Sequence, residues 1–162
     1  MYLERLAPIA LIGYNRPQHI RNCLESLAAN LEASQSDIYC FLDGPRSHED
    51  LPHVRQVRKV VHEARGFRSI KIMERESNWG LSRNVIDGVT RILAQRDRVI
   101  VVEDDLVVSP GFLRYLNQAL DVYRASPQVF TVSGYNYPEK LLRIPNSYSY
   151  DAFFVMRHMC WG

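Results

Sequence analysis

The chain reads as one α/β unit, a mostly parallel sheet with helices on both faces. Three observations predict this. Short apolar runs alternate with stretches whose apolar residues recur at helical spacing, from residue 7 to residue 132. The runs lack polar alternation, as strands covered on both faces do. Clusters of polar, ligand-type residues follow the runs, and open parallel sheets bind ligands just beyond the carboxyl ends of their strands.

Residues 7–14 (APIALIGY) form the first expected strand. Asn15, Arg16 and Pro17 open a helix, with proline suited to its first turn. Ile20, Cys23, Leu24, Leu27, Ala28 and Leu31 give that helix its apolar stripe. Residues 37–43 (DIYCFLD) are a second strand, stopped by Gly44 and Pro45. Val54, Val57, Val61 and Ala64 stripe a second helix that closes near Gly66. A third strand covers 69–73, and Leu81, Val85, Val89, Ile92 and Leu93 stripe a third helix. Residues 99–102 (VIVV) predict a fourth, central strand. Ser109 and Pro110 fit the N-cap and first position of a fourth helix, with Leu113, Leu116, Leu120 and Tyr123 facing inward. Residues 129–132 begin an expected fifth strand. Residues 1–136 thus make one α/β unit, and 137–162 the start of a second region that stops in mid-pattern, as in a fragment of something longer.

Bulk properties exclude several classes. A formal net charge of +2 lacks the basic excess of a nucleic-acid binder. Cys23, Cys40 and Cys160 are odd in number and widely spaced, which argues against a disulfide framework or a zinc site. Cys23 and Cys40 fall in apolar patterns and read as core residues under reducing, cytoplasmic conditions. No apolar run is long enough to span a bilayer.

The chemistry concentrates in Glu103, Asp104 and Asp105, which end the fourth strand. Like charges this close repel one another, and a bound cation relieves them. Hard oxygen ligands suit Mg²⁺ or Mn²⁺, which typically join protein carboxylates to a substrate phosphate. Asp105, farthest from the strand, is the best metal ligand; Glu103 and Asp104 suit hydrogen bonds from ribose or sugar hydroxyls. A solvated acidic loop is the plain alternative. Asp43 with Gly44 reads equally as a turn or as an acceptor for a base N–H. Tyr14, Asn15 and Arg16 follow the first strand, and Arg16 suits a diphosphate beside a helix N-terminus. Asn78, Gly80 and Arg83 occupy the entry to the third helix; Gly80 either admits a ligand close to the backbone or serves the cap. His53 and His62 lie on an outward face, and the tyrosines of 135–150 offer either a sugar-stacking surface or loop packing.

These segments resemble a known family. Residues 101–113 (VVEDDLVVSPGFL) are similar to the metal-binding segment of GT-A glycosyltransferases, and the Glu-Asp-Asp form to that of N-acetylglucosaminyltransferases. Residues 12–17 (IGYNRP) and 78–84 (NWGLSRN) resemble the family 2 glycosyltransferase pattern. The resemblance implies a Rossmann-like nucleotide-sugar-binding half, a UDP-sugar donor, Mn²⁺ or Mg²⁺, and inverting transfer to a saccharide or glycolipid acceptor. By the same resemblance Asp105 touches the metal, Asp104 and Glu103 the ribose and donor sugar, Asp43 the uracil, and Arg16 lies near the diphosphate. Peripheral membrane association follows from the resemblance alone. A carboxylate base would come from the acceptor half. Glu139 and Asp151 are the only acids of residues 137–162, and neither sits in a recognisable base motif, so the expectation is donor binding with little or no transfer. A non-catalytic α/β nucleotide-binding or interaction module is the competing reading. A nucleotidyltransferase would need a glycine-rich loop after the first strand, where Gly13-Tyr14-Asn15-Arg16-Pro17 offers one glycine.

Overall fold

The computed structural model describes residues 6–135, together with Lys140 and Ser147. Four strands form a wholly parallel sheet: β1 (Ile9–Gly13), β2 (Asp37–Leu42), β3 (Ser69–Glu74) and β4 (Ile100–Glu103), in the order β3-β2-β1-β4. Between them run α1 (Pro17–Ala28), α2 (Leu51–Glu63) and α3 (Leu81–Leu93); α4 (Phe112–Val122) follows β4.

Strand order explains the layering. From β1 the chain steps outward to β2 and β3, then returns to the other side of β1 for β4. A crossover of fixed hand places its helix on opposite faces for opposite directions of travel. So α1 and α2, joined by α4, cover one face. Ile9, Leu11, Ile38, Cys40, Leu42, Ile100 and Val102 meet them there. The third helix covers the other face, where Ile92 packs on Ala10, Ile12 and Phe41. Successive residues of β1 point into the two cores in turn, and all five are buried. That is why the first run carries no polar residue.

Several expectations need correction. Residues 129–132 form no strand, and Phe130 is 92% exposed. A strand needs a neighbour to satisfy its backbone, and none lies there among the described residues. The fourth strand is not central: among the described residues it is an edge, paired only with β1. Ser109 and Pro110 precede α4 as a turn, closed by the Phe112 N–H on the Ser109 carbonyl, and Gly111 is the residue before the helix. Leu31 falls beyond the end of α1 and is exposed, as are Leu81 and Leu93 at the ends of α3. Cys23 and Cys40 are buried free thiols, and burial pushes each up to about 12, so neither is a nucleophile near neutrality. His53 and His62 are exposed, and His62 pairs with Glu74 at 2.8 Å. The region from 136 onward, including the tyrosine-rich stretch, Glu139 and Asp151, lies outside the described residues apart from Lys140 and Ser147. No helix among the described residues is long and apolar enough to cross a membrane.

An ion-pair cluster closes the amino-terminal end of the sheet. Asp37 accepts hydrogen bonds from Arg68 Nε at 2.8 Å and Ser69 Oγ at 2.6 Å, with Arg96 at 3.8 Å. The Arg68 bonds hold the Asp37 carboxyl down at about 2, against 3.8 when free. A lowered carboxyl stabilises the fold above its unfolded value, and that gain disappears as pH falls through the folded one. Asp37→Asn should therefore cost about 1–2 kcal/mol at neutral pH, discounted for the exposed side of Arg68. Urea denaturation should show the difference from the parent fading between pH 4 and pH 2; a constant difference would remove the pairing as its cause.

Candidate functional site

Register sets the strand ends level with one another. Gly13 pairs with Leu42, Leu42 with Glu74, and Ile12 with Glu103. Residues 14–16, 43–44, 75–80 and 104–105 therefore leave the sheet along one rim. The sheet changes its direction of travel between β1 and β4, and a crevice opens at such a switch.

Arg16 and the acids meet at that point. The Arg16 guanidinium bridges Asp104 and Asp105, with a distance of 3.0 Å to Asp105 Oδ2. The Asp104 side chain is 3% exposed, whereas that of Asp105 is 43% exposed. Asp104 thus forms the floor and Asp105 the rim. Burial raises the Asp104 carboxyl above its ordinary value, outweighing the bonds from Arg16 and the Tyr14 backbone. Burial raises Glu103 as well, reinforced by Asp105 and Asp104. One guanidinium against three carboxylates leaves the cluster short of positive charge. Moreover, Asp104 Oδ2 is buried with no hydrogen-bond partner. An orphaned carboxylate oxygen in a negative cluster suits a divalent cation. Among the described residues no three His, Cys, Asp or Glu side chains form a ready metal cage.

Tyr14 and Asn15 turn elsewhere. The Tyr14 hydroxyl donates to Asp50 Oδ2 at 2.6 Å and the Asn15 amide to Asp50 Oδ1 at 3.0 Å. Burial and this bond raise the Tyr14 phenol, while the Tyr14 and Asn15 bonds lower Asp50. Asp50 escaped the sequence reading, although Ser47 and Asp50 form a capping box whose S-x-x-D spacing is visible in the sequence. Its function is to pin the loop after β2 to the loop after β1.

Asp43 is 4% exposed and fully engaged. Its Oδ1 accepts from the Gly44 and Trp79 N–H groups at 2.9 and 2.8 Å. Its Oδ2 accepts from the Asn78 amide and the Gly80 N–H at 3.0 and 2.9 Å. A carboxylate has about four acceptor sites, so all are taken. Gly44 lies against Ser77, whose backbone atoms would stand 2.5–2.6 Å from any Cβ there. Gly80 precedes α3 at φ +79, a left-handed conformation that suits glycine. Its N–H points to Asp43, so its position serves the cap. Arg83 is exposed and lies 3.9 Å from the centre of the Trp79 ring, with Arg75 at 4.0 Å. Arg75 is held by Asp87 and Asn84; Arg83 has no carboxylate partner among the described residues.

Of the residues singled out in the sequence, the structure brings Arg16, Asp104 and Asp105 into direct contact and ties Asp43, Asn78 and Gly80 into a neighbouring network. Tyr14 and Asn15 flank the first group through their backbone position, and Arg83 stands at the outer edge of the second. The family model described as glycosyl transferase family 2 matches residues 9–159. That span takes in every strand and helix described above and the whole of the rim. With the match extending over nearly its full length, the chain belongs to glycosyl transferase family 2.

Proposed function

We propose that the crevice between β1 and β4 binds a nucleotide-sugar, a UDP-sugar, together with Mn²⁺ or Mg²⁺, for inverting transfer of the sugar to an acceptor hydroxyl. The observation that carries this is the Arg16 bridge to Asp104 and Asp105, with Asp104 Oδ2 left buried and unpartnered beneath it. Asp105 is the half-exposed oxygen donor that would hold the cation, with Asp104 behind it. A bound divalent cation supplies Lewis-acid neutralisation of the diphosphate as it departs. Arg16 adds a fixed positive charge beside the same group and keeps both aspartates oriented before the ligand arrives. Glu103 and Asp104 are the proposed acceptors for hydroxyls of the ribose and donor sugar, as in the N-acetylglucosaminyltransferases that the Glu-Asp-Asp triplet resembles.

The base is assigned to the Asp43 network. Its carboxylate can take a uracil imide N–H only by releasing one present donor. The Asn78 amide is the one side chain among the four and the easiest to release. The three backbone donors would still hold Asp43 in place.

Titration calorimetry tests the reading. UDP should bind in Mn²⁺ and at least tenfold more weakly in chelator, and ADP or GDP should bind more weakly than UDP. Equal binding of all three nucleotides, or no dependence on the cation, would overturn it.

A further inference from the structure

The geometry points to Ser26, on the last turn of α1, as the positioning residue for the acidic loop that follows β4. This rests on the donor and cation reading above. From Glu103 to Gly111 the chain leaves the sheet and runs without regular structure until α4 begins. Within it the Leu106 N–H reaches the Glu103 carbonyl and the Phe112 N–H the Ser109 carbonyl, and the backbone groups left over are met by other parts of the chain, which set its course.

That role falls to one side of α1. The Cys23 thiol lies 3.6 Å from the Glu103 carbonyl and donates to it. Ser26 Oγ accepts the Val108 N–H at 3.1 Å and donates its own proton to the Cys23 carbonyl at 2.9 Å. Asn30 Oδ1 accepts the Leu113 N–H at 3.0 Å, while its amide donates to the Ser26 carbonyl at 3.0 Å. Arg16, just ahead of the same helix, grips Asp104 and Asp105. Contacts at 16, 23, 26 and 30 thus meet 104–105, 103, 108 and 113, so the loop is laid out alongside α1. Cys23 and Ser26 lie on one side of α1, with Ile20 and Leu27 buried beside them, and Asn30 follows just past the C-cap, Ala29.

Val108 stands three residues after Asp105, and Ser26 fixes the chain on the far side of the acids as Arg16 and Cys23 fix it on the near side. Without the Val108 bond, hydrogen bonds would hold the chain at Glu103, at the two aspartates and again at Leu113, with only the packing of Leu106 and Val108 on the core between them. The Asp105 oxygens would then sample a wider range, and a cation that needs near-octahedral oxygen placement would bind less tightly. Ser26 touches neither cation nor nucleotide; it acts through the backbone of the loop.

The test compares Ser26→Ala, Ser26→Thr and Ser26→Val by calorimetry with UDP, in Mn²⁺ and in chelator. Ser26→Ala should weaken UDP binding in Mn²⁺ about tenfold, raise the Mn²⁺ concentration needed for half-maximal binding by a similar factor, and leave binding in chelator unchanged. Ser26→Thr, which keeps the hydroxyl, should restore most of the loss. Ser26→Val, of the same shape without the hydroxyl, should not, and the threonine–valine difference carries the test if the alanine variant fails to fold. Equal loss with and without Mn²⁺, or no loss while the parent shows cation-dependent binding, would overturn the assignment alone. A parent chain with no cation dependence would instead overturn the donor reading and this inference with it.

Discussion

Asp105→Ala should leave a folded chain that gains nothing from Mn²⁺ when it binds UDP. Two features argue for so clean a separation. The Asp105 side chain is 43% exposed, and its one ion pair is with an equally exposed Arg16. Exposed pairs contribute about 0–1 kcal/mol, so the melting temperature should barely change. Arg16 keeps Asp104 as its partner, so the buried acid remains compensated. The effect on the ligand is much larger, because the outermost oxygen donor of the cluster is lost. UDP affinity in Mn²⁺ should fall to its value in chelator, a change of roughly 100-fold, or about 2.7 kcal/mol. Calorimetry in both conditions checks it, with circular dichroism melting as the control. Retained cation dependence in Asp105→Ala would remove Asp105 from the metal site and shift the role to Glu103 or Asp104.

Asp43→Ala should behave in the opposite way and damage the fold first. The Asp43 carboxylate is buried and accepts from three backbone N–H groups and the Asn78 amide. An alanine strands these donors in a site with little access to water. Each buried donor left unsatisfied costs about 1–3 kcal/mol, and partial rescue by water brings the expected loss to roughly 3–5 kcal/mol. Asp43→Asn should recover only part of it. The amide keeps one acceptor oxygen but turns an NH₂ group toward two of the donors, which cannot be satisfied together. Chemical denaturation of both variants reads the difference directly. If Asp43→Ala unfolds at the same denaturant concentration as the parent, the network carries no stability, and the proposed hold of the three backbone donors on Asp43 goes with it.

The contrast between Asp105 and Asp43 shows where residue-level reading stops. Both are aspartates at the carboxyl end of a parallel strand, and both fit a ligand contact. They differ in what surrounds them. Asp105 meets solvent and the Arg16 guanidinium, whereas the 75–80 loop folds back over Asp43 and, with the Gly44 N–H, takes all of its acceptor capacity. Nothing local to residues 43–44 announces that loop, because its donors come from 35 to 37 residues further along the chain. The same holds for Tyr14 and Asn15. Their position after the first strand is as expected, yet Asp50 draws their side chains away from the acids. The failed fifth strand has the same origin. The β-branched and aromatic residues of 129–132 suit a strand, but pairing is a property of two segments, and among the described residues no second one is present.

Sequence alone determined the α/β alternation, the four parallel strands, the helix stripes and the gathering of acids and arginine at strand ends. Those depend on period and on local punctuation, which each segment carries within itself. Only the tertiary structure decided that β4 lies beside β1, and hence that Arg16 meets Asp104 and Asp105 rather than Asp43. It also decided which carboxylates are already satisfied and which oxygen is left bare, and that α1 lays out the acidic loop. Strand order and hydrogen-bond partnership join residues tens of positions apart, and the free energy that fixes them belongs to the packed sheet, not to any stretch of chain within it.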